Sequence, residues 1–186
     1  MQWGAEGIET FAGAVSGAKH VLGFNEPELS GQSNIDAGKA AALWKEYMNP
    51  LHSAGIKIGA PAISSAPEGA VWLENFFNAC NKGCHVDFIP IHWYGEGSDN
   101  FLAYLSKMDE QFGQYGPLWV TEFGDTTMSN PAIVQSFLET TTSAMDGLSY
   151  VARYAWFDYS PSTPDLETNM LDSGGNLNAL GSAYVS

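Results

Sequence analysis

The sequence predicts an α/β protein built on a parallel sheet, with helices packed outside it. Three observations carry that class. Short apolar runs of strand length alternate along the chain with longer segments whose apolar residues recur at helical spacing. Chemistry-bearing groups stand at the C-terminal ends of three of those runs: Asn25-Glu26, His92-Trp93-Tyr94 and Glu122. No Gly-x-Gly-x-x-Gly or Walker loop follows any run, which weighs against an open doubly wound nucleotide-binding sheet.

The elements follow in order. Gln2-Trp3-Gly4 reads as the tail of a strand, and residues 7–16 as a short helix with Ile8, Phe11 and Val15 inward. A strand over 19–26 is closed by Pro27, which has no N–H and biases the residue before it away from helix. Trp44, Tyr47, Met48 and Leu51 recur at helical spacing, and Gly55 ends that helix. Residues 56–61 form the next strand, followed by a helix with Leu73, Phe76, Phe77 and Cys80 on one face. Val86–Tyr94 is a buried strand, and Ser98 is expected to cap a helix with Phe101, Leu105, Met108 and Phe112 inward. Leu118–Phe123 is a strand. Asn130-Pro131 opens a helix in the favoured N-cap and first-position order, with Ile133, Val134, Phe137 and Leu138 inward. Residues 150–157 make the last strand; a polar loop over 158–176 leads to a short closing helix at 177–184.

This gives five strands plus the fragment at Trp3, in one domain without repeat or linker. An eight-stranded barrel takes about 250 residues, so on a barrel reading about the first two strand-helix units are absent from the 186 residues. A six-stranded open sheet is the alternative.

Composition narrows the partners. With 45% hydrophobic residues the chain can bury a sizeable core. Its net charge of −14, from 21 acidic and 7 basic residues, argues against nucleic acid and anionic membrane surfaces as partners. A neutral ligand fits better, and six Trp and eight Tyr favour one with flat apolar faces. No window reaches the roughly 18 apolar residues of a membrane span, and the N-terminus carries no signal-peptide pattern. Cys80 and Cys84 sit in Cys-Asn-Lys-Gly-Cys; a zinc site would need further ligands, and only His85 is near, so a local disulfide is expected over free thiols. Such a bond points to an oxidising compartment.

The strand ends carry the chemistry. In barrels the C-terminal ends of the strands hold the catalytic loops. Alternation puts Phe88, Pro90, His92 and Tyr94 on one strand face, and Leu118, Val120 and Glu122 on one face of another. It cannot aim both Asn25 and Glu26 inward, so a bulge or twist is needed there. Two glutamates at the ends of non-adjacent strands, with aromatics between, suit glycoside hydrolysis: one protonates the leaving oxygen, the other attacks the anomeric carbon or activates water. Different surroundings keep one carboxyl protonated and the other ionised, and Tyr94 is a candidate hydrogen-bond donor that would hold Glu122 as the anion. A Ser-His-Asp reading lacks a nucleophile elbow. A metal site from Glu26, His92 and Glu122 is the lesser alternative; no metal and no cofactor are expected.

Three separated motifs, Gly23-Phe24-Asn25-Glu26-Pro27, Ile91-His92-Trp93-Tyr94-Gly95 and Trp119-Val120-Thr121-Glu122-Phe123, together resemble glycoside hydrolase family 128. The run Met170-Leu171-Asp172-Ser173-Gly174-Gly175-Asn176-Leu177-Asn178-Ala179-Leu180-Gly181 is similar to that family's C-terminus. The resemblance implies a (β/α)₈ TIM barrel, here incomplete at its start, forming a single catalytic domain over residues 1–186. It implies an endo-acting β-1,3-glucanase of the retaining clan, with Glu26 as acid/base after strand four and Glu122 as nucleophile after strand seven. Asn25 resembles the group that binds the sugar 2-OH, and Tyr94 the tyrosine that orients the nucleophile. Trp3, Trp93 and Trp156 are candidate sugar platforms, although alternation turns Trp93 toward the outer helices. His92 is expected either to contact substrate or Glu122 or to be a core histidine satisfied by backbone. The implied setting is a monomer, secreted or cell-wall associated, acting on β-1,3-glucan or its oligosaccharides. A non-catalytic glucan-binding protein on a degenerate or truncated barrel is the alternative.

Overall fold

The computed structural model describes residues 1–127, 130–161 and 168–186. Five strands, β1 (His20–Val21), β2 (Lys57–Ile58), β3 (Ile89–Gly95), β4 (Leu118–Asp125) and β5 (Val151–Tyr154), alternate with helices. The helices are α1 (Ile8–Ala14), α2 (Ala37–Leu43), α3 (Asn49–Ser53), α4 (Pro67–Cys80), α5 (Ser98–Phe112), α6 (Pro131–Gly147) and α7 (Ala179–Tyr184). Part of the polar loop read at 158–176 lies outside the described residues. Among the described residues, no helix is long and apolar enough to cross a membrane.

The five strands pair in parallel, β1 with β2 and β3 with β4 with β5. Parallel bridges Gly59–Phe88 and Ile63–Ile91 join the two sets. On the other side of β1, Gln2 N–H donates to Leu22 O and Asn25 N–H to Trp3 O, so the Gln2-Trp3 segment adds a sixth member. The order follows the chain without reversal, whereas a doubly wound sheet reverses at a switch point. That order is not the doubly wound one.

Local sequence explains the helix boundaries. Asp36 accepts from Lys39 N–H at the start of α2, and Asn130 from Ala132 N–H ahead of Pro131 in α6, as the Asn-Pro order predicts. The Trp44–Leu51 periodicity is one continuous run, α2 to α3, with a π-turn at Trp44–Met48. Pro50 follows that turn; it cannot donate to the carbonyl four residues back, and its ring crowds that carbonyl, so the ladder widens there. Two helix expectations are corrected. Ser98 is the first residue of α5, not its cap; Gly97 occupies the cap position without a side-chain bond. Ile133 is exposed, because the inward stripe of α6 is Val134, Phe137, Leu138, Thr141 and Met145.

One core lies between the strands and their helices. Phe24, Trp44, Phe76, Phe101 and Phe123 are fully buried within it. On the opposite face of the strands, at their N-terminal ends, Phe88 stacks on Trp119 at 3.8 Å and His20 lies 5.2 Å from the same ring. Arg153 covers that indole at 4.8 Å. This aromatic layer floors the face whose other end carries the carboxylates.

Candidate active site

The acidic pair is held at the C-terminal ends of the ladder by two departures from regular strand geometry. At β1 the backbone of Glu26 takes a left-handed conformation, φ +39°. A side-chain-bearing residue holds that conformation only where its surroundings impose it, at a cost of about 1–3 kcal/mol. Here Glu26 N–H donates to Ala62 O at 2.7 Å, and Leu29 N–H donates to Glu26 O at 3.0 Å. This turn is the twist that alternation required, and it lets both Asn25 and Glu26 line one cleft.

At β4 the departure is a bulge. Ile91 pairs with Val120, but His92 pairs with Glu122, which leaves Thr121 between them. Trp119 stacks on Phe88, whose strand face also carries His92, while Glu122 approaches His92 from β4. Trp119 and Glu122, three residues apart, therefore share a face. The expectation that Leu118, Val120 and Glu122 share one is corrected: Leu118 and Val120 are in the core, and the extra residue turns Glu122 to the other side.

The resulting constellation is compact. His92 is fully buried; its Nδ1 lies 2.9 Å from Glu26 Oε1 and 3.6 Å from Glu122 Oε2. Tyr94 donates from its hydroxyl to Glu122 Oε2 at 2.7 Å. Oxygens of the two carboxyl groups lie within 4.8 Å of one another. Burial first, and then the bond to Glu122, raises the Tyr94 phenol well above its ordinary range, so it stays a donor. The same three residues have the donor types of a cation site, but Oε1 of Glu26 and Oε2 of Glu122 are already engaged by His92 and Tyr94.

Above them opens a cleft of about 900 Å³, lined by Trp3, Asn25, Glu26, Tyr94 and Glu122 among others. Trp3 is 51% exposed, so a ligand can reach its face. Two expected platforms are not there. Trp93 is buried, stacks on Phe137 at 5.4 Å and meets Phe101 edge-on, as alternation indicated. Trp156 is buried between Phe123 and Phe137, and its indole N–H donates to Thr168 O at 2.7 Å. Neither lines the cleft. Sequence reasoning missed several residues that do, among them Gln32, Ser64, Ser65 and Phe157. Gln32 accepts from Asn25 Nδ2 at 3.1 Å, which orients that amide. Phe157 packs edge-on against Tyr94 at 5.9 Å. The signal for Ser64-Ser65 was available, because they follow the β2 run as Glu26 follows β1.

Comparison with known proteins places this geometry. The family model described as the glycosyl hydrolase catalytic core matches residues 1–184. The structure of a curdlan-specific exo-β-1,3-glucanase of family GH128 from Blastomyces gilchristii aligns with a TM-score of 0.83 and 33% identity, over 98% of this chain and 78% of that one. The chain belongs to glycoside hydrolase family 128. A second family 128 structure, an endo-β-1,3-glucanase from Amycolatopsis mediterranei in complex with laminaritriose, aligns with a TM-score of 0.79 and 32% identity, over 98% and 78% of the two chains. The alkali-sensitive linkage protein 1 of Schizosaccharomyces pombe is 34% identical over 199 residues, covering all of this chain. The family 128 chain described here spans 36% of that protein's length.

Proposed function

We propose that this chain is a retaining β-1,3-glucanase, with Glu122 as nucleophile and Glu26 as general acid/base, acting in endo fashion on β-1,3-glucan or its oligosaccharides. We read its six parallel segments as strands three to eight of a (β/α)₈ barrel, within a single catalytic domain over 1–186. That count puts Glu26 after strand four and Glu122 after strand seven.

The observation that carries the reading is the separation of the two carboxyl groups. Retaining glycosidases keep them about 5–5.5 Å apart, and inverting enzymes about 6.5–9.5 Å, to leave room for a water. One oxygen of Glu26 lies within 4.8 Å of one of Glu122, a spacing on the retaining side of that division.

The bonding suits two roles for two like groups. Tyr94 engages Oε2 of Glu122, which leaves Oε1 to attack the anomeric carbon as the glycosidic bond breaks. The His92 tautomer with its proton on Nδ1 donates to Oε1 of Glu26. Oε2 of Glu26 then gives its proton to the departing oxygen, and takes one back from the water that hydrolyses the glycosyl-enzyme. Asn25, oriented by Gln32, serves the sugar 2-OH, and Trp3 offers a flat face to a sugar ring. The Cys80–Cys84 disulfide supports a secreted or cell-wall setting, and we take the monomer as the working form.

Proton NMR of laminarioligosaccharide hydrolysis tests the mechanism. The first product should carry the β-configuration at its new reducing end, with the α-anomer growing in only by mutarotation. An initial α-product overturns retention, and no product at all favours a glucan-binding protein.

A further inference from the structure

We infer that His52, His85 and Asp87 form a binding site for a divalent transition ion of the zinc class, at the end of the ladder opposite Glu26 and Glu122. His52 is in α3; His85 and Asp87 lie just ahead of β3, whose far end carries Tyr94. His52 Nδ1 and His85 Nε2 each lie 3.6 Å from Asp87 Oδ2, and the three donor atoms fall within 4.8 Å of one another. Around a tetrahedral ion with bonds near 2.1 Å, neighbouring donors stand about 3.4 Å apart. The two distances to Oδ2 meet that figure within a few tenths of an ångström. Two imidazoles and one carboxylate suit zinc, copper or nickel and not calcium or magnesium, which take oxygen ligands.

The state of the two imidazoles bears on a ligand. His85 Nε2 is buried and has no hydrogen-bond partner, an unsatisfied nitrogen aimed into the cluster. The imidazoles of His52 and His85 stack with centroids 3.2 Å apart, so binding requires the half-exposed His52 ring to turn until both nitrogens face one ion. Their partial exposure, about 40% for each side chain, leaves an entry path and a fourth position for water.

The surroundings hold the donors in place, as outer partners of metal sites do. Ile58 N–H donates to Asp87 Oδ2 at 2.9 Å and Lys57 donates to Oδ1 at 2.7 Å, which fixes the carboxylate and leaves Oδ2 a free lone pair. His85 N–H donates to Asn49 Oδ1, and His85 O accepts from the Trp44 indole. The disulfide at Cys80–Cys84 closes the turn immediately before His85, so the cysteines themselves are not ligands. Lys57 opposes the ion by its charge. An ion here would tie α3 to the approach of β3 and raise stability by binding only the folded chain.

The test is titration of chelator-treated chain with zinc chloride, followed by calorimetry and thermal unfolding. One ion per chain should bind, with a rise in melting temperature. His52→Asn and His85→Asn should each weaken binding by roughly tenfold or more and remove the thermal shift. Both positions are partly exposed, so both variants should fold. Absence of saturable binding up to about 1 mM zinc, or binding unchanged in both histidine variants, overturns the site. Binding lost in Glu26→Gln but kept in the histidine variants also overturns it, because the ion would then sit at the other cluster.

Discussion

Glu122 stands opposite His92 in the parallel ladder because Thr121, one residue before it, is left without a cross-strand partner. The bulge is a matter of residue count and not of the threonine side chain, whose Oγ1 is buried without a hydrogen bond. Thr121→Val should therefore keep turnover of laminarin within about twofold of the parent, since no hydrogen bond is lost. Deleting Thr121 restores simple alternation and turns Glu122 toward the core, where an unpaired carboxylate is costly. The deletion should abolish hydrolysis and lower the melting temperature. Wild-type turnover in the deletion variant would refute the register argument.

The two glutamates should fail differently when replaced. Glu26→Ala removes the proton donor, so laminarin turnover should drop by about 10²–10⁴-fold. Aryl glycosides with good leaving groups need little protonation and should suffer far less. Glu122→Ala should lose activity on both substrate types, and added azide should restore it as an α-glycosyl azide. Circular dichroism should match the parent in both variants. An azide product from Glu26→Ala with the α-configuration would reverse the assignment.

Trp3 and Trp93 separate ligand contact from packing. Trp3 is half exposed at the cleft, and Trp93 is buried against Phe137. Trp3→Ala should raise KM severalfold with little change in stability. Trp93→Ala should cost about 3–5 kcal/mol of stability, read by urea unfolding, with KM near the parent value at temperatures where it is folded. The opposite pattern would move the sugar platform to Trp93.

The sequence exposed the order of elements because each one carries its own signal. The stripe Phe101, Leu105, Met108 and Phe112 is read by helical period, and all four are buried. The strand-end motifs were legible for the same reason, since Pro27 and the apolar run before it mark the end of the extended segment that starts with β1. What was not legible depends on contacts across the chain. The bulge at Thr121 is set by pairing with β3, which lies about thirty residues away in the chain, and no local pattern announces it. Trp156 was read as a platform because it ends a strand, yet Phe123, Phe137 and Thr168 O enclose it. The His52–His85–Asp87 cluster was invisible for a like reason: His85 and Asp87 are neighbours in sequence, but only the fold brings His52 to them.

The Cys80–Cys84 bond closes a loop with a sequence separation of 4. Short loops gain less than long ones from cross-linking, about 2 kcal/mol on the chain-entropy estimate. For a chain of this size that corresponds to roughly 4–8 °C in melting temperature. Cys80→Ser with Cys84→Ser should show a loss of that order by calorimetry, and the parent under reductant should show the same. Activity at 25 °C should persist in both, because the bond lies at the end of the strands away from the carboxylates. Loss of activity without loss of fold would contradict that placement.

Alkaline pH should unfold the chain before it disables the Tyr94 contact. Burial and then the Glu122 carboxylate raise the Tyr94 phenol, and burial followed by the Asp146 bond raises Tyr154 to about 12. In the unfolded chain both titrate near 10. The folded state thus keeps protons that the unfolded state releases, so stability is fully present below about pH 10 and declines as pH rises toward the folded values. Urea midpoints should be level from pH 8 to about 9.5 and fall from there upward. Tyr154→Phe removes one retained proton and should flatten that fall, as should Tyr94→Phe. Tyr94→Phe should in addition lower kcat at pH 7 by roughly 10–100-fold, the worth of a hydrogen bond to a charged group, while Tyr154→Phe leaves kcat unchanged. Equal slopes in parent and both variants would show that neither phenol is perturbed by the fold.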